Sequence, residues 1–313
     1  MMTMPTNDSL LAKWNSQPPC NAYIRVDAVH PLDFYIGYED IDEKSLLLVT
    51  DREPTALPSS RSILAIAGQR GDGKWALMWR LIRREQESVF VRLCYDLVES
   101  SRTQCNDGRG LEFVSNRYRQ WHKLMEHQGS GLLSEAARKG LLGEILYLLR
   151  LLSDGMRPID VVSGWLGPEG ADRDFVLKDG WHEVKAQGAD ARTISISSLE
   201  QLDAPPPGEI VAILIDSTSP DDPSNFSLRS KIDEAKTVLQ TDSRALELFS
   251  SKLLECGYID LRDYDEQYYR SSGCRRYRFD WQFPRLTKRN VPSAVSTAKY
   301  EVDLSSIEAW RTE

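Results

Sequence analysis

Three charged residues in the stretch Arg173 to Ala186, RDFVLKDGWHEVKA, could act together on one phosphate. Asp174 opens a short apolar run, and Glu183 and Lys185 stand two apart in the next one. Carboxylate oxygens are hard donors that suit Mg²⁺ or Mn²⁺, ions that keep waters for a phosphate substrate. A lysine beside such an ion can position or deprotonate an attacking water and offset charge on a pentacovalent phosphorane. The chemistry this trio would perform is metal-assisted hydrolysis of a phosphodiester. The same residue types also fit a plain surface hairpin with ion pairs on its wet face.

Positioning these groups is a matter of two strands and a helix. Side chains alternate along a strand, so Glu183 and Lys185 share one face while His182 and Val184 share the other. Lys178-Asp179-Gly180 is a tight-turn sequence, and a hairpin there brings Asp174 alongside the second strand. Asp172 lies two residues from Asp174 and would share its face, so it competes for the role of first acid. Upstream, Glu144 sits in GLLGEILYLLRLL, a helix apolar on nearly every side. A lone buried carboxylate is costly and finds a cation, a metal or a hydrogen-bond network. Gly140 and Gly143 beside it allow close approach of another backbone.

The whole chain sets the frame. Its 313 residues are 41% hydrophobic and 27% charged, ordinary for a soluble globular protein of one or two domains. The formal net charge of -8 means that any nucleic-acid surface must be local. Five cysteines, Cys20, Cys94, Cys105, Cys256 and Cys274, form no C-x-x-C pair, which fits reduced thiols in the cytoplasm. The N-terminus lacks the apolar stretch of a signal peptide, and no run is long enough to span a bilayer. Residues 1 to about 87 read as short strands: YIRVDA, DFYIGYED, SLLLVT, RSILAIA and WALMWRLI. Helical periodicity begins at Ser88, with further helices near 110–127 and 134–153. Strands follow in VVSGW, DFVL, WHEVKA, TISIS and EIVAILID, then helices near 224–239 and 244–257, then RRYRFDWQF and KYEVDL as strands. The expected division is a β-rich N-terminal domain over 1–105 and an α/β domain over 106–313.

The order of a helix with Glu144, then Asp174, then Glu183-x-Lys185 resembles the PD-(D/E)XK nuclease superfamily. More specifically, WHKLM, LLSEAARKGLLGEILYL, GWLGPEGADRDF, WHEVKA, ISSLEQL, FPRL and KYEVDL resemble the bacterial family of PD-(D/E)XK motif proteins linked to restriction and phage-defence clusters. The resemblance implies an α/β fold with a restriction-endonuclease-like core, a mixed central sheet flanked by helices. It implies a Mg²⁺- or Mn²⁺-dependent DNA endonuclease in restriction-like or anti-phage defence. Asp174 and Glu183 would hold the metal, the backbone carbonyl of Val184 would add a ligand, Lys185 would be the catalytic lysine, and Glu144 would support the site. Gln187 and Gln201 stand where related enzymes sometimes carry a polar site residue. Arg173 replaces the proline that often precedes the first acid. DNA is the implied partner, together with a helicase, ATPase or methyltransferase of a defence system, and a homodimer is compatible with the pattern. The rival is a catalytically idle scaffold of the same fold that binds DNA or proteins without cutting.

Other motifs compete for attention. Gly68 to Trp75, GQRGDGKW, matches a phosphate-loop pattern, but it lacks the following Ser or Thr and a helix, so a hairpin turn explains it better. His122 and His127 are five apart on a helix and do not share a face for zinc. His182 should point away from the trio. Arg275, Arg276 and Arg278 lie among aromatic residues that could stack on bases while arginines grip phosphates. Arg117 and Lys123 form a second basic patch, and solvated or salt-bridged arginines explain either patch equally well.

Overall fold

The computed structural model describes residues 7–17, 22–39, 43–102, 109–127 and 132–313, except the side chains of Asn7, Glu126, His127 and Arg262. Cys20, Cys105 and the side chain of His127 therefore lie outside the described residues. Cys94, Cys256 and Cys274 are free thiols. Among the described residues, no helix is long and apolar enough to cross a membrane. The chain forms two compact units, Met1–Leu132 with Ile259–Leu261, and Leu133–Tyr258 with Arg262–Glu313.

The first unit holds helix α1 (Asn7–Asn15), an antiparallel five-stranded sheet, and helices α2 (Glu87–Ser100) and α3 (Arg109–His127). Its strands are β1 (Tyr23–Arg25), β2 (Asp33–Tyr38), β3 (Lys44–Thr50), β4 (Ile63–Gln69) and β5 (Trp75–Leu81), in the order β1-β2-β3-β5-β4. All five runs read as strands in the sequence form them. Between β4 and β5 the chain makes the expected turn: Gly73 has φ 85°, Gly73 N–H donates to the Arg70 carbonyl, and no helix follows. The change from strand to helix near Ser88 precedes the division between units, which falls after α3 rather than near 105. The reason is packing. Tyr118 and Trp121 of α3 are buried in this unit, and Trp121 Nε1 donates to Asp96 of α2 at 2.7 Å.

The second unit begins with α4 (Glu135–Ser153), whose N-cap Ser134 accepts a hydrogen bond from the Ala137 N–H. There follow α5 (Pro158–Gly164), β6 (Phe175–Leu177), β7 (Gly180–Gln187), β8 (Thr193–Ile196), β9 (Gly208–Thr218), α6 (Leu228–Leu239), α7 (Ser243–Glu255), β10 (Tyr268–Phe279) and β11 (Tyr300–Asp303). VVSGW, read as a strand in the sequence, is instead the body of α5. Pro158 occupies the first turn, where its missing N–H costs nothing, and Val161 and Val162 are buried.

The central sheet runs β10-β9-β7-β6, with β7 and β9 parallel and the other pairs antiparallel. This is a mixed central sheet flanked by helices, the α/β arrangement that the sequence resemblance implies. Helix α4 covers one face closely because Gly143 has no side chain: a Cβ there would lie 2.9 Å from the Ala186 Cβ. On the other face, Trp181, Ile210, Ala212, Tyr277 and Phe279 pack against Ile194 and Ile196 of β8 and Val302 of β11. Those two strands form a separate antiparallel pair. The strand carrying Glu183 and Lys185 is thus buried on both faces, and its charged residues have little access to bulk water.

Candidate active site

Strand β6 pairs with β7 through Phe175 opposite His182, so Asp174 sits one step beyond that ladder, level with Glu183. Its backbone is fixed by the next loop: the N–H groups of Leu166 and Gly167 both donate to the Asp174 carbonyl, at 2.7 and 3.1 Å. Its side chain is fixed by β7, where the Val184 N–H donates to Asp174 Oδ2 at 2.7 Å. Asp172 is not equivalent. Its side chain is 52% exposed and lies 3.6 Å from Arg173. Asp174, not Asp172, stands beside Glu144.

Alternation along β7 puts Glu183 and Lys185 on one face, as the spacing requires. Lys185 Nζ lies 2.8 Å from Glu183 Oε1, and Gln201 Nε2 donates to the same oxygen at 2.5 Å. Gln201 is itself held, because its Oε1 accepts from the Ser197 N–H at 2.8 Å. The other oxygen, Glu183 Oε2, is buried and has no hydrogen-bond partner. Glu144 arrives from α4, and its Oε2 accepts from Trp165 Nε1 at 2.6 Å.

The three acids therefore follow one pattern, in which one oxygen of each is held by the protein. Gly167 leaves an opening beside two of them, Glu144 and Asp174. A Cβ at that position would lie 2.8 Å from Glu144 Oε2 and 3.1 Å from Asp174 Oδ1. His182 takes the opposite face, where Tyr147 and Asp179 hold its ring. Gln187 shares the face of Glu183 and Lys185, and its Nε2 is also buried without a partner.

Crowded burial controls the electrostatics. Burial first, and the nearby Asp174 carboxylate second, push the Glu144 and Glu183 carboxyls up to about 8. Burial also raises Asp174, against the Val184 N–H and Lys185, which favour its ionised form. Lys185 is the cation paired with Glu183, and Arg173 adds a smaller favourable field there, against three crowded acids. Paired and solvated carboxylates sit near 4, so this group is short of positive charge.

A divalent cation fits that shortage. Asp174 Oδ1 and Glu183 Oε2 are the oxygens left for it, with Glu144 at the same opening. Among the described residues, no three His, Cys, Asp or Glu side chains group closely enough to hold an ion by themselves. The fit is to an ion that completes its shell with backbone oxygen and water, as Mg²⁺ does. Val184 was expected to offer its carbonyl; the contact the structure gives it with an acid is through its N–H.

The basic residues divide. Arg117 is removed from any phosphate-binding patch, because its guanidinium is buried and bonded through Nε and Nη2 to Asp96, at 2.7 and 2.9 Å. Lys123 is exposed on α3. Arg276 pairs with Glu209 at 2.5 Å, and Arg275 donates to the Ala189 carbonyl. Arg278 is exposed. Reading the sequence for charges missed Trp165, Gly167 and Lys252, which frame the site. The WLGPEG segment signals the first two by its tryptophan and by two glycines around a proline. Lys252 gives no signal in an amphipathic helix.

Residues 9–305 match the model of a protein family described as "Putative PD-(D/E)XK family member, (DUF4420)". No curated protein and no solved structure matches the chain.

Proposed function

As the chain belongs to this PD-(D/E)XK family, we propose that it is a Mg²⁺-dependent endodeoxyribonuclease, with restriction-like or anti-phage defence as its setting. The observation that carries the reading is the unpartnered, buried Glu183 Oε2 beside two further acids that burial holds above their usual range. An acid left in that state has a use only if a cation arrives.

When bound, a divalent ion would polarise a phosphoryl oxygen and supply an acidic water. The protein's own groups do the rest. The Val184 N–H turns Asp174 so that Oδ1 is free, and Lys185 with Gln201 turns Glu183 so that Oε2 is free. Lys185, on the face of Glu183, would supply an ammonium that offsets growing negative charge on the phosphate and orients the attacking water. Without a cation Glu144 keeps a proton near neutral pH, and a cation at the opening would favour its ionised form.

The test is incubation of supercoiled plasmid and linear DNA with the purified protein in Mg²⁺ or Mn²⁺, beside Lys185→Ala. Metal-dependent cutting that disappears in the variant supports the reading. Cutting that persists in Lys185→Ala overturns the assigned mechanism, and metal-independent DNA binding without cutting favours an idle scaffold.

A further inference from the structure

Lys252 is a buried ammonium that the proposed chemistry does not use. It lies on α7 with its side chain 3% exposed, and a buried Lys is rare unless paired. Its Nζ donates to the Trp165 carbonyl and lies 2.8 Å from Glu169 Oε1. These two partners bracket the segment 165–169. Trp165 ends α5, where carbonyls lack helical partners, and Lys252 satisfies one of them. Glu169 closes the short 3-10 turn that follows, Gly167–Glu169.

The start of that segment, Trp165 to Gly167, touches the acids or the backbone that carries them. The Trp165 indole donates to Glu144. Leu166 and Gly167 donate to the Asp174 carbonyl. Gly167 forms the opening onto both carboxylates. The Trp165 ring is itself packed between Phe175 and Phe249, with centroids 6.4 and 5.7 Å away. Packing fixes the ring's plane, but the backbone that carries it is tied down by Lys252.

We propose that Lys252 is a positioning residue: it straps segment 165–169 so that Trp165 and Gly167 aim Glu144 and Asp174 at one point. A lysine needed only to fill space would be replaceable by methionine, which keeps an unbranched chain to the ε position but lacks the ammonium and can satisfy neither partner. The proposal rests on the metal-site reading for its purpose but not for its geometry, so the two can fail separately.

The test uses the full-length protein with Lys252→Met and Glu169→Ala, read by two methods. The first is the exchange rate of the Trp165 indole N–H in a ¹H–¹⁵N spectrum, with Trp165→Phe assigning the peak. The Trp121 indole, held by Asp96 in the first unit, is the internal control. The second is Mn²⁺ affinity by calorimetry. Lys252→Met should speed Trp165 exchange at least tenfold and leave Trp121 unmoved. It should also weaken Mn²⁺ binding by roughly 10–100-fold, the usual scale for loss of a supporting partner. Glu169→Ala should do both to a smaller extent, and it decides the matter should Lys252→Met fail to fold. Unchanged Trp165 exchange in the folded variants overturns the strap. Faster exchange in a protein that binds no Mn²⁺ at all upholds the strap and overturns the metal reading instead.

Discussion

Asp96 in the first unit and the acids of the second are both drawn out of water, and they end in opposite states. Asp96 accepts two bonds from Arg117 and one from Trp121, and these hold its carboxyl below the usual range against the effect of burial. Glu144 and Glu183 also have a tryptophan, a lysine and a glutamine among their donors, yet burial and Asp174 push them up. The difference is the balance of charges: Asp96 has the Arg117 guanidinium bonded to it and Arg92 nearby, whereas Glu144, Asp174 and Glu183 crowd together around Lys185, with Arg173 helping at Glu183. A fully paired buried acid is a structural device. The under-compensated group is the feature on which the proposed cation site rests.

The contrast is sharpest in activity. Lys185→Ala should cut metal-dependent DNA cleavage by roughly 10²–10⁴-fold, the scale of a lost proton-transfer or charge-stabilising group. Asp96→Asn should leave the catalytic groups intact but strand a buried guanidinium, at a cost of about 3–5 kcal/mol in folding stability by chemical denaturation. Glu144→Gln inverts that result: at pH 8 and without metal it should unfold no more easily than the parent, because it removes a charge that the Trp165 indole and Lys185 compensate only in part. Loss of stability in Glu144→Gln comparable to that in Asp96→Asn would break the comparison.

Smaller effects refine it. Gly167→Ala would place a methyl group against Glu144 Oε2 and Asp174 Oδ1, so Mn²⁺ affinity should fall while the fold's thermal midpoint changes little. Gln201→Ala frees Glu183 Oε1 from one of its two donors and should weaken the ion by about tenfold, measured by calorimetry. A different kind of effect is in pH dependence. Glu144 and Glu183 keep a proton in the folded protein up to about 8, but in the unfolded chain only up to about 4.5. Between those values the folded state binds more protons, so metal-free stability falls as pH rises across that window. Melting curves from pH 5 to 8 should show that decline, and Glu144→Gln should flatten it.

Much of this was legible in the sequence because its signals are local. Period-two alternation fixes Glu183 and Lys185 on one face, and Asp-Gly at 179–180 fixes the turn that returns Asp174 to them. Gly143 in an apolar helix foretells the close approach to Ala186. What escaped depends on distant partners. Asp172 and Asp174 have the same spacing rules, and only the bonds from Leu166, Gly167 and Val184 separate them. Arg117 looks like a phosphate ligand until Asp96 of another helix takes it. VVSGW reads as β-branched strand, but Pro158 starts a helix there and tertiary burial of Val161 and Val162 keeps it. The compact units divide after α3 because aromatic residues at 118 and 121 pack back, which no linker composition announces.

The account stands on whether the acids of the second unit hold a cation. The direct measurement is calorimetric titration of the metal-free protein with Mn²⁺ at pH 8, in parallel with Asp174→Asn and Glu183→Gln, with folding of each checked by circular dichroism. One site is expected in the parent protein, lost in both variants, and weakened as the pH is lowered and the acids regain protons. Equal Mn²⁺ binding in the parent and both folded variants, or none in the parent, would contradict the account.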